Sequence, residues 1–282
     1  MLKQRVITAL LLMAVLLPAL FAPSPLPFAL LTLVALGAAG WEWGRLNGAS
    51  STVALLLGAV LAALCAGSLW IGWDKMPPRL VWSMALVAWV AFGALAIRSG
   101  PSGWPKIPMP ARQLIGLLAL WTAFLGIAYA RVVGINFLLS VFCLAWAADI
   151  CAYFGGKAFG KRKLAPAISP AKSWEGVWSG MLGVLVLAVA WILADRAHDF
   201  GSASLYTHLW QRLGPIGLVI AAVFLAAMTV VGDLVESLVK RSAGAKDSSR
   251  LLPGHGGVLD RVDALLPLFP LALALISDLS LR

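Results

Sequence analysis

The chain has 282 residues, of which 61% are hydrophobic and only 12% charged, and it carries a formal net charge of +10. Soluble domains run at roughly 45–50% apolar and about 25% charged, so a water-soluble globule is excluded and lipid must be the solvent. The basic residues sit in short runs between apolar stretches instead of along one face, which excludes a nucleic-acid surface as well.

A membrane-spanning helix needs about 20 mainly apolar residues. On that rule the chain predicts an all-α polytopic integral membrane protein of about nine transmembrane helices, near residues 6–22, 27–44, 52–73, 80–97, 112–130, 134–154, 175–194, 214–239 and 262–279. The separators are turn-rich or charged: Pro23-Ser-Pro25, Asn47-Gly48, Asp74 to Arg79, Ser99 to Pro110, and the stretch from Gly155 to Ser173. The first apolar run follows Met1-Leu-Lys-Gln-Arg5 as in a secretory leader, yet Pro18, Pro23, Pro25 and Pro27 interrupt it and no Ala-x-Ala cleavage site stands out. A retained first helix is expected.

Tryptophans such as Trp41, Trp43, Trp70, Trp73, Trp104 and Trp210 fall toward span ends and read as interfacial anchors. Cys65, Cys143 and Cys151 lie in apolar segments without metal-ligand spacing and read as small hydrophobes. Counting Lys and Arg in alternate loops with the N-terminus inside places 16 of the 22 on the cytoplasmic side. The two most polar loops, 155–173 and 240–261, then share that side.

Residues 1–130 hold almost no intramembrane charge apart from Glu42 near a helix end. The second half differs: Asp149 follows an apolar run, and Asp233 and Glu236 lie inside the eighth span. Acids there cost about 2.5–3.5 kcal/mol on insertion scales, so they face a protein interior or wet cavity and pair with something. Asp233 and Glu236 are i,i+3 and share a face, with Lys240-Arg241 at its mouth.

The following loop reads Lys246-Asp247-Ser-Ser-Arg-Leu-Leu-Pro253-Gly-His-Gly-Gly257-Val-Leu-Asp260-Arg-Val-Asp263. Gly254, Gly256 and Gly257 around His255 let backbone amides approach anionic oxygens. Asp260 and Asp263, again i,i+3, either hold a cation or serve as a helix N-cap and its first-turn acid. Oxygen-only ligands suit Mg²⁺. The other loop, Gly155-Gly-Lys-Ala-Phe-Gly160-Lys-Arg162, brushes a P-loop pattern but has Arg162 where Ser or Thr would hold Mg²⁺, and no strand precedes it.

Ser237-Leu-Val-Lys-Arg241, Lys246-Asp247, Pro253-Gly-His-Gly-Gly257 and Leu259-Asp-Arg-Val-Asp263 together resemble the signature of the phosphatidate cytidylyltransferases. Asp149, Tyr153, Gly155, Gly160, Lys161, Ser169-Pro170, Lys172, Glu175 and Gly176 resemble a second region shared by that family. The specific likeness covers about residues 149–263; residues 1–130 match as generic spans. The resemblance implies Mg²⁺-dependent transfer of a cytidylyl group from CTP to phosphatidic acid, giving CDP-diacylglycerol and pyrophosphate.

On that basis the chain divides into N-terminal helices, 1–130, and a C-terminal catalytic region, 131–282. Asp233, Asp260 and Asp263, with Asp149, are expected at the metal. Lys240, Arg241, Lys161 and Lys172 are expected to neutralise phosphates, with Ser169 and the loop Gly254, His255, Gly256 and Gly257 cradling the nucleotide. The expected location is the inner membrane of a bacterium with the site facing the cytoplasm. A homodimer is also implied, with Gly40/Gly44 or Gly176/Gly180 as small-residue faces. A CTP-dependent enzyme on another lipid acceptor and an ion-coupled transporter are the alternatives.

Overall fold

The computed structural model describes residues 2–277, with side chains from residue 6 onward. Ten helices follow in order: α1 (Leu2–Phe21), α2 (Leu26–Leu46), α3 (Ser51–Trp70), α4 (Arg79–Gly103), α5 (Met109–Val133), α6 (Ile135–Phe159), α7 (Trp174–Ala197), α8 (Leu205–Ser242), α9 (Leu259–Val262) and α10 (Leu265–Ile276). A two-stranded antiparallel hairpin, β1 (Lys163–Ala165) and β2 (Ser169–Ser173), lies between α6 and α7, pairing Lys163 with Ser173 and Ala165 with Ser169. The expected loop 155–173 is therefore partly ordered, since α6 runs on to Phe159.

Seven of these helices, α2 to α8, are long and apolar enough to cross a membrane. The remaining two expected spans correspond to α1 and α10. α1 runs 20 residues, Leu2–Phe21, the length of a full span, and Val6–Phe21 is its apolar part. At the other end α9 and α10 are joined through Asp263 and Ala264, both in helical conformation, so the backbone is helical from Leu259 to Ile276, about 27 Å at 1.5 Å per residue. Every residue from Leu265 to Ala274 is buried, and α10 packs against α4, α5, α6 and α8. It is a core helix enclosed by protein; residues 278 and 279 of that expected span lie outside the described residues.

Local sequence explains where helices start and break. Ser50, Ser173 and Ser204 accept from the amides of Val53, Gly176 and Thr207 at 3.3, 3.2 and 3.2 Å, supplying N-caps for α3, α7 and α8. Gly100 and Gly214 both take positive φ, 65° and 70°, and each precedes a proline, so α4 and α8 are interrupted there. The segment before the second break, expected as part of a loop at 195–213, is helical from Leu205, with Leu205, Tyr206 and Leu209 buried.

The small-residue faces offered for a dimer are used within the chain. Gly40 and Gly44 admit Leu61 and Ala54 of α3, and Gly176 and Gly180 of α7 lie against the Ala152 and Ala148 carbonyls of α6. Trp43 and Trp104 are likewise interior residues, not interfacial anchors: their ring N–H groups donate to Arg112 O at 2.9 Å and Asn47 Oδ1 at 2.8 Å. Trp70, by contrast, is exposed.

Both polar loops collect at one end of the bundle. Arg241 Nε donates to Ile168 O of the hairpin at 3.4 Å, and Thr8 Oγ1 of α1 donates to Pro253 O at 3.0 Å. Near the opposite end of α1, Arg131 Nε donates to Leu20 O at 2.9 Å and its Nη2 to Ala22 O at 2.6 Å. These bonds satisfy terminal carbonyls that the helix leaves unpaired and explain a buried arginine.

Candidate active site

One face of α8 presents Asp233, Glu236 and Lys240, spaced i, i+3, i+7 so that they stack over two turns. Around them the structure builds two charged groups, one open and one closed. The open group forms where β2 meets α8: Lys172 Nζ lies 2.6 Å from Asp233 Oδ2, with the two side chains 24% and 26% exposed. Ser237 Oγ donates to Asp233 Oδ1 at 3.1 Å. Asp149 of α6, exposed on its helix, lies within electrostatic reach of Lys172 and Asp233. Asp263, between α9 and α10, feels both Asp233 and Asp149.

Gly232 makes that approach possible. A Cβ there would come within 2.9 Å of the Pro267 ring, so only glycine lets the start of α10 lie against α8 and bring Asp263 beside Asp233.

The closed group centres on Lys240. Its ammonium lies 2.6 Å from Glu236 Oε2 and 2.6 Å from Asp260 Oδ1, and the three side chains are only 12%, 2% and 7% exposed. The Glu236 contact is an ion pair by distance without hydrogen-bond geometry; neither Glu236 oxygen has a hydrogen-bond partner among the described residues. Asp260 is amply satisfied. Its Oδ2 accepts from Ser248 N (2.9 Å), Ser248 Oγ (2.9 Å) and Gly257 N (2.8 Å). Burial alone would raise its pKa, but the Lys240 ammonium and the two loop amides outweigh burial and hold it well below the usual carboxylate range.

Glu42 holds the loop from the other side, and sequence reasoning had singled it out only as a lone acid. Its side chain is fully buried. Oε1 accepts from Ser249 Oγ at 2.6 Å and Val258 N at 3.0 Å; Oε2 accepts from Leu259 N at 2.7 Å. Ser248 Oγ lies 3.1 Å from Oε2 and 2.9 Å from Asp260 Oδ2, one hydroxyl proton serving two carboxylates. The cap of α9 is thus a carboxylate supplied by α2, and Asp260 is not the N-cap of its own helix.

The loop glycines act through conformation and space. Gly254 and Gly256 have φ of 77° and 83°, and a Cβ on Gly256 would sit 2.7 Å from Asp260 Oδ2. Gly257 is buried and gives its amide to Asp260. His255 turns away from the carboxylates: its Nδ1 is 3.5 Å from Pro253 O, and its carbonyl accepts from Arg261 at 3.0 and 2.7 Å.

In the first turn of α7, Glu175 accepts from the amides of Lys161 at 3.0 Å and Arg162 at 3.1 Å, just before the hairpin, which fixes where the chain leaves α6. The Lys161 side chain is exposed, and Ser169 opens β2 at partial burial. Arg241 ties hairpin to loop through Ile168 O and Ala245 O (3.2 Å). At the same end a polar cavity of about 560 Å³ is lined by Arg45, Lys246, Asp247, Ser248, Ser249 and Arg250.

Asp149, Asp233, Asp260 and Asp263 are therefore not drawn into one cage. Among the described residues no three His, Cys, Asp or Glu side chains are arranged to hold a metal unaided. The oxygens of Asp260 are already taken. Of the open acids, Asp233 is paired with Lys172, and such an oxygen-only set fits Mg²⁺, which takes one or two carboxylates and completes its shell with substrate phosphates.

Residues 3–278 match the family described as the cytidylyltransferase family, so the likeness extends over the N-terminal helices as well as residues 149–263. The phosphatidate cytidylyltransferase of Haemophilus influenzae is 37% identical, with 96% of each chain covered. That of Pseudomonas aeruginosa is 38% identical over 98% of this chain and 97% of its own. A Brucella suis phosphatidate cytidylyltransferase is 45% identical over 132 residues, 47% of this chain and 43% of that protein.

Proposed function

We infer the reaction from the premise that this chain belongs to the cytidylyltransferase family. It is a membrane-embedded nucleotidyltransferase that joins CTP to phosphatidic acid, giving CDP-diacylglycerol and pyrophosphate. A phosphate oxygen of phosphatidic acid attacks the α-phosphorus of CTP. The bond from that phosphorus to the β-phosphate bridging oxygen breaks, and pyrophosphate leaves with its electron pair.

Every reactant is an anion, so charge neutralisation and in-line placement are the protein's main tasks. Lys172, from β2, and Lys240, on the α8 face itself, supply ammonium groups, and Lys161 and Arg241 add positive charge at the rim. The polar cavity beside the Ser248–Arg250 turn suits the water-borne nucleotide. Asp149, Asp233 and Asp263 would hold Mg²⁺ together with substrate phosphate oxygens. When bound, Mg²⁺ supplies positive charge at the exchanging phosphates. Asp260 and Glu42 are positioning residues: they fix the glycine-rich loop and the Lys240 ammonium.

The observation that carries this reading is the open Lys172–Asp233 pair, with Asp149 and Asp263 in electrostatic reach, at the end where both polar loops meet. The cytoplasmic face of the inner membrane is the side we assign to that end, on the strength of the 16 of 22 basic residues.

The test is the stoichiometry of purified protein with CTP, phosphatidic acid and Mg²⁺. One pyrophosphate per CDP-diacylglycerol formed is expected. Lipid product with release of inorganic phosphate alone, or cytidylylation only of an isoprenoid-type phosphate, would overturn the assignment.

A further inference from the structure

The polar cavity of about 560 Å³ beside the Ser248–Arg250 turn carries a charge pattern that a phosphate site alone does not call for. Three cations line it: Arg45 in the last turn of α2, and Lys246 and Arg250 on the loop. One carboxylate stands among them, that of Asp247, which is exposed. Among the described residues Asp247 forms no ion pair with any of the three, and its side chain takes no hydrogen bond. Arg45 lies instead over the Trp41 ring, 5.1 Å from its centroid.

The backbone on both sides of Asp247 is pinned. Ala245 N donates to Lys240 O at 2.9 Å, and Ala245 O accepts from Arg241 at 3.2 Å. Beyond it, Ser248 N donates to Asp260 Oδ2 at 2.9 Å and the Ser249 hydroxyl to Glu42 Oε1 at 2.6 Å. A free carboxylate on a fixed backbone is preorganised for a donor that arrives with a ligand. Arg and Lys can only donate, so Asp247 is the one charged acceptor lining the cavity. Asp260 connects this wall to the reacting centre, because it holds Ser248 and stands one helical turn before Asp263, about 5–6 Å apart at Cβ.

We propose that Asp247 reads the nucleobase, accepting from the exocyclic amine of cytosine while the three cations take phosphate and carbonyl oxygens. The proposal rests on the reaction assigned above and adds the residue that makes it specific for CTP. Cytosine presents an amine donor where uracil presents a carbonyl oxygen. A carboxylate attracts the first and repels the second, so one side chain supplies both the preference for CTP and the penalty against UTP. A site built to bond a donor rejects an analogue lacking it far more strongly than shape alone can.

The test measures Mg²⁺-dependent transfer to phosphatidic acid from CTP, from UTP and from the triphosphate of pyrimidin-2-one riboside, which is cytidine without its amine. The parent should favour CTP over both by at least about 10²-fold in kcat/KM. In Asp247→Ala, kcat/KM for CTP should fall at least about tenfold while the amine-free analogue stays within about twofold, so that the preference collapses. The melting temperature should stay parent-like, since the Asp247 side chain makes no bond within the chain. Equal losses on CTP and the analogue would assign Asp247 to the phosphates or the loop, and an unchanged preference would show that another group reads the base; either result overturns the proposal. Calorimetric titration of CTP and the analogue without phosphatidic acid supplies a readout that needs no turnover, with the parent binding CTP more tightly and Asp247→Ala binding both alike. If the parent converts none of the three nucleotides, the assigned reaction has failed, and the titration alone decides whether Asp247 reads the amine.

Discussion

Replacing Glu42 tests how a residue of the N-terminal half governs chemistry in the C-terminal half. Its carboxylate accepts from two backbone amides, Val258 and Leu259, and from the hydroxyls of Ser248 and Ser249. In Glu42→Ala the hydroxyls can rotate toward other acceptors, but both amides are left buried and unpaired. Each such orphan costs about 1–3 kcal/mol, so a loss of about 2–6 kcal/mol in the local stability of the loop is expected. Glu42→Gln keeps one acceptor oxygen and orphans one amide, for about 1–3 kcal/mol. Because Ser248 and Gly257 also donate to Asp260, a loosened loop shifts Asp260 and with it the Lys240 ammonium. Turnover should fall at least tenfold in Glu42→Gln, about 1.4 kcal/mol at the barrier. Hydrogen exchange of the peptide covering residues 246–260 should accelerate. Normal turnover with unchanged protection of Val258 and Leu259 in Glu42→Gln would refute the clamp.

Asp260→Asn should lower thermal stability as well as turnover, because the Lys240 pairing loses its charge while the loop amides keep one acceptor; parent-like melting would show the pair to be unimportant. The folded-state pKa of Asp260 is depressed, so the stability it contributes is complete above the unfolded value of about 3.9 and fades only as pH falls below it. The difference in melting temperature between parent and Asp260→Asn should therefore be constant from about pH 8 to 5.5, and a marked shrinkage across that window would contradict the shift. Lys172→Met should reduce turnover at least tenfold, whereas Arg196→Ala, whose guanidinium lies 5.7 Å from the Trp210 ring centroid, should stay within a few-fold; equal losses would mean basic residues act through folding alone. Gly232→Ala should destabilise by about 1–3 kcal/mol through overpacking against Pro267 and cut turnover, measured by thermal unfolding and CTP consumption.

Much of this architecture was legible in the chain because lipid imposes a simple rule of length and apolarity. The rule says nothing of what surrounds a span: α10 is as apolar as the others, yet it is enclosed by four helices. Gly100-Pro101 and Gly214-Pro215 carried visible break signals, but an apolar window passes over them. The hairpin is set by contacts instead of alternation, chiefly Glu175 on the amides of Lys161 and Arg162.

At the site, spacing correctly placed Asp233, Glu236 and Lys240 on one face, and the glycines around His255 in a tight loop. Spacing left open whether Asp260 caps a helix or holds a cation, because that depends on which carboxylate reaches the Val258 and Leu259 amides. The answer lies more than 200 residues away, in Glu42. Its signal was an acid near a helix end in a half otherwise almost free of intramembrane charge, which marks a buried partner without naming it.

The most direct measurement is single-turnover transfer of label from α-labelled CTP into extractable lipid, titrated with Mg²⁺, for parent, Asp233→Asn and Asp263→Asn. The account predicts label in CDP-diacylglycerol for the parent. It predicts a fall of at least about 10²-fold, about 2.7 kcal/mol at the barrier, and a higher Mg²⁺ requirement in both variants while their folds persist. Parent-like transfer at the same Mg²⁺ in either variant would contradict the placement of the reacting centre at the open carboxylates.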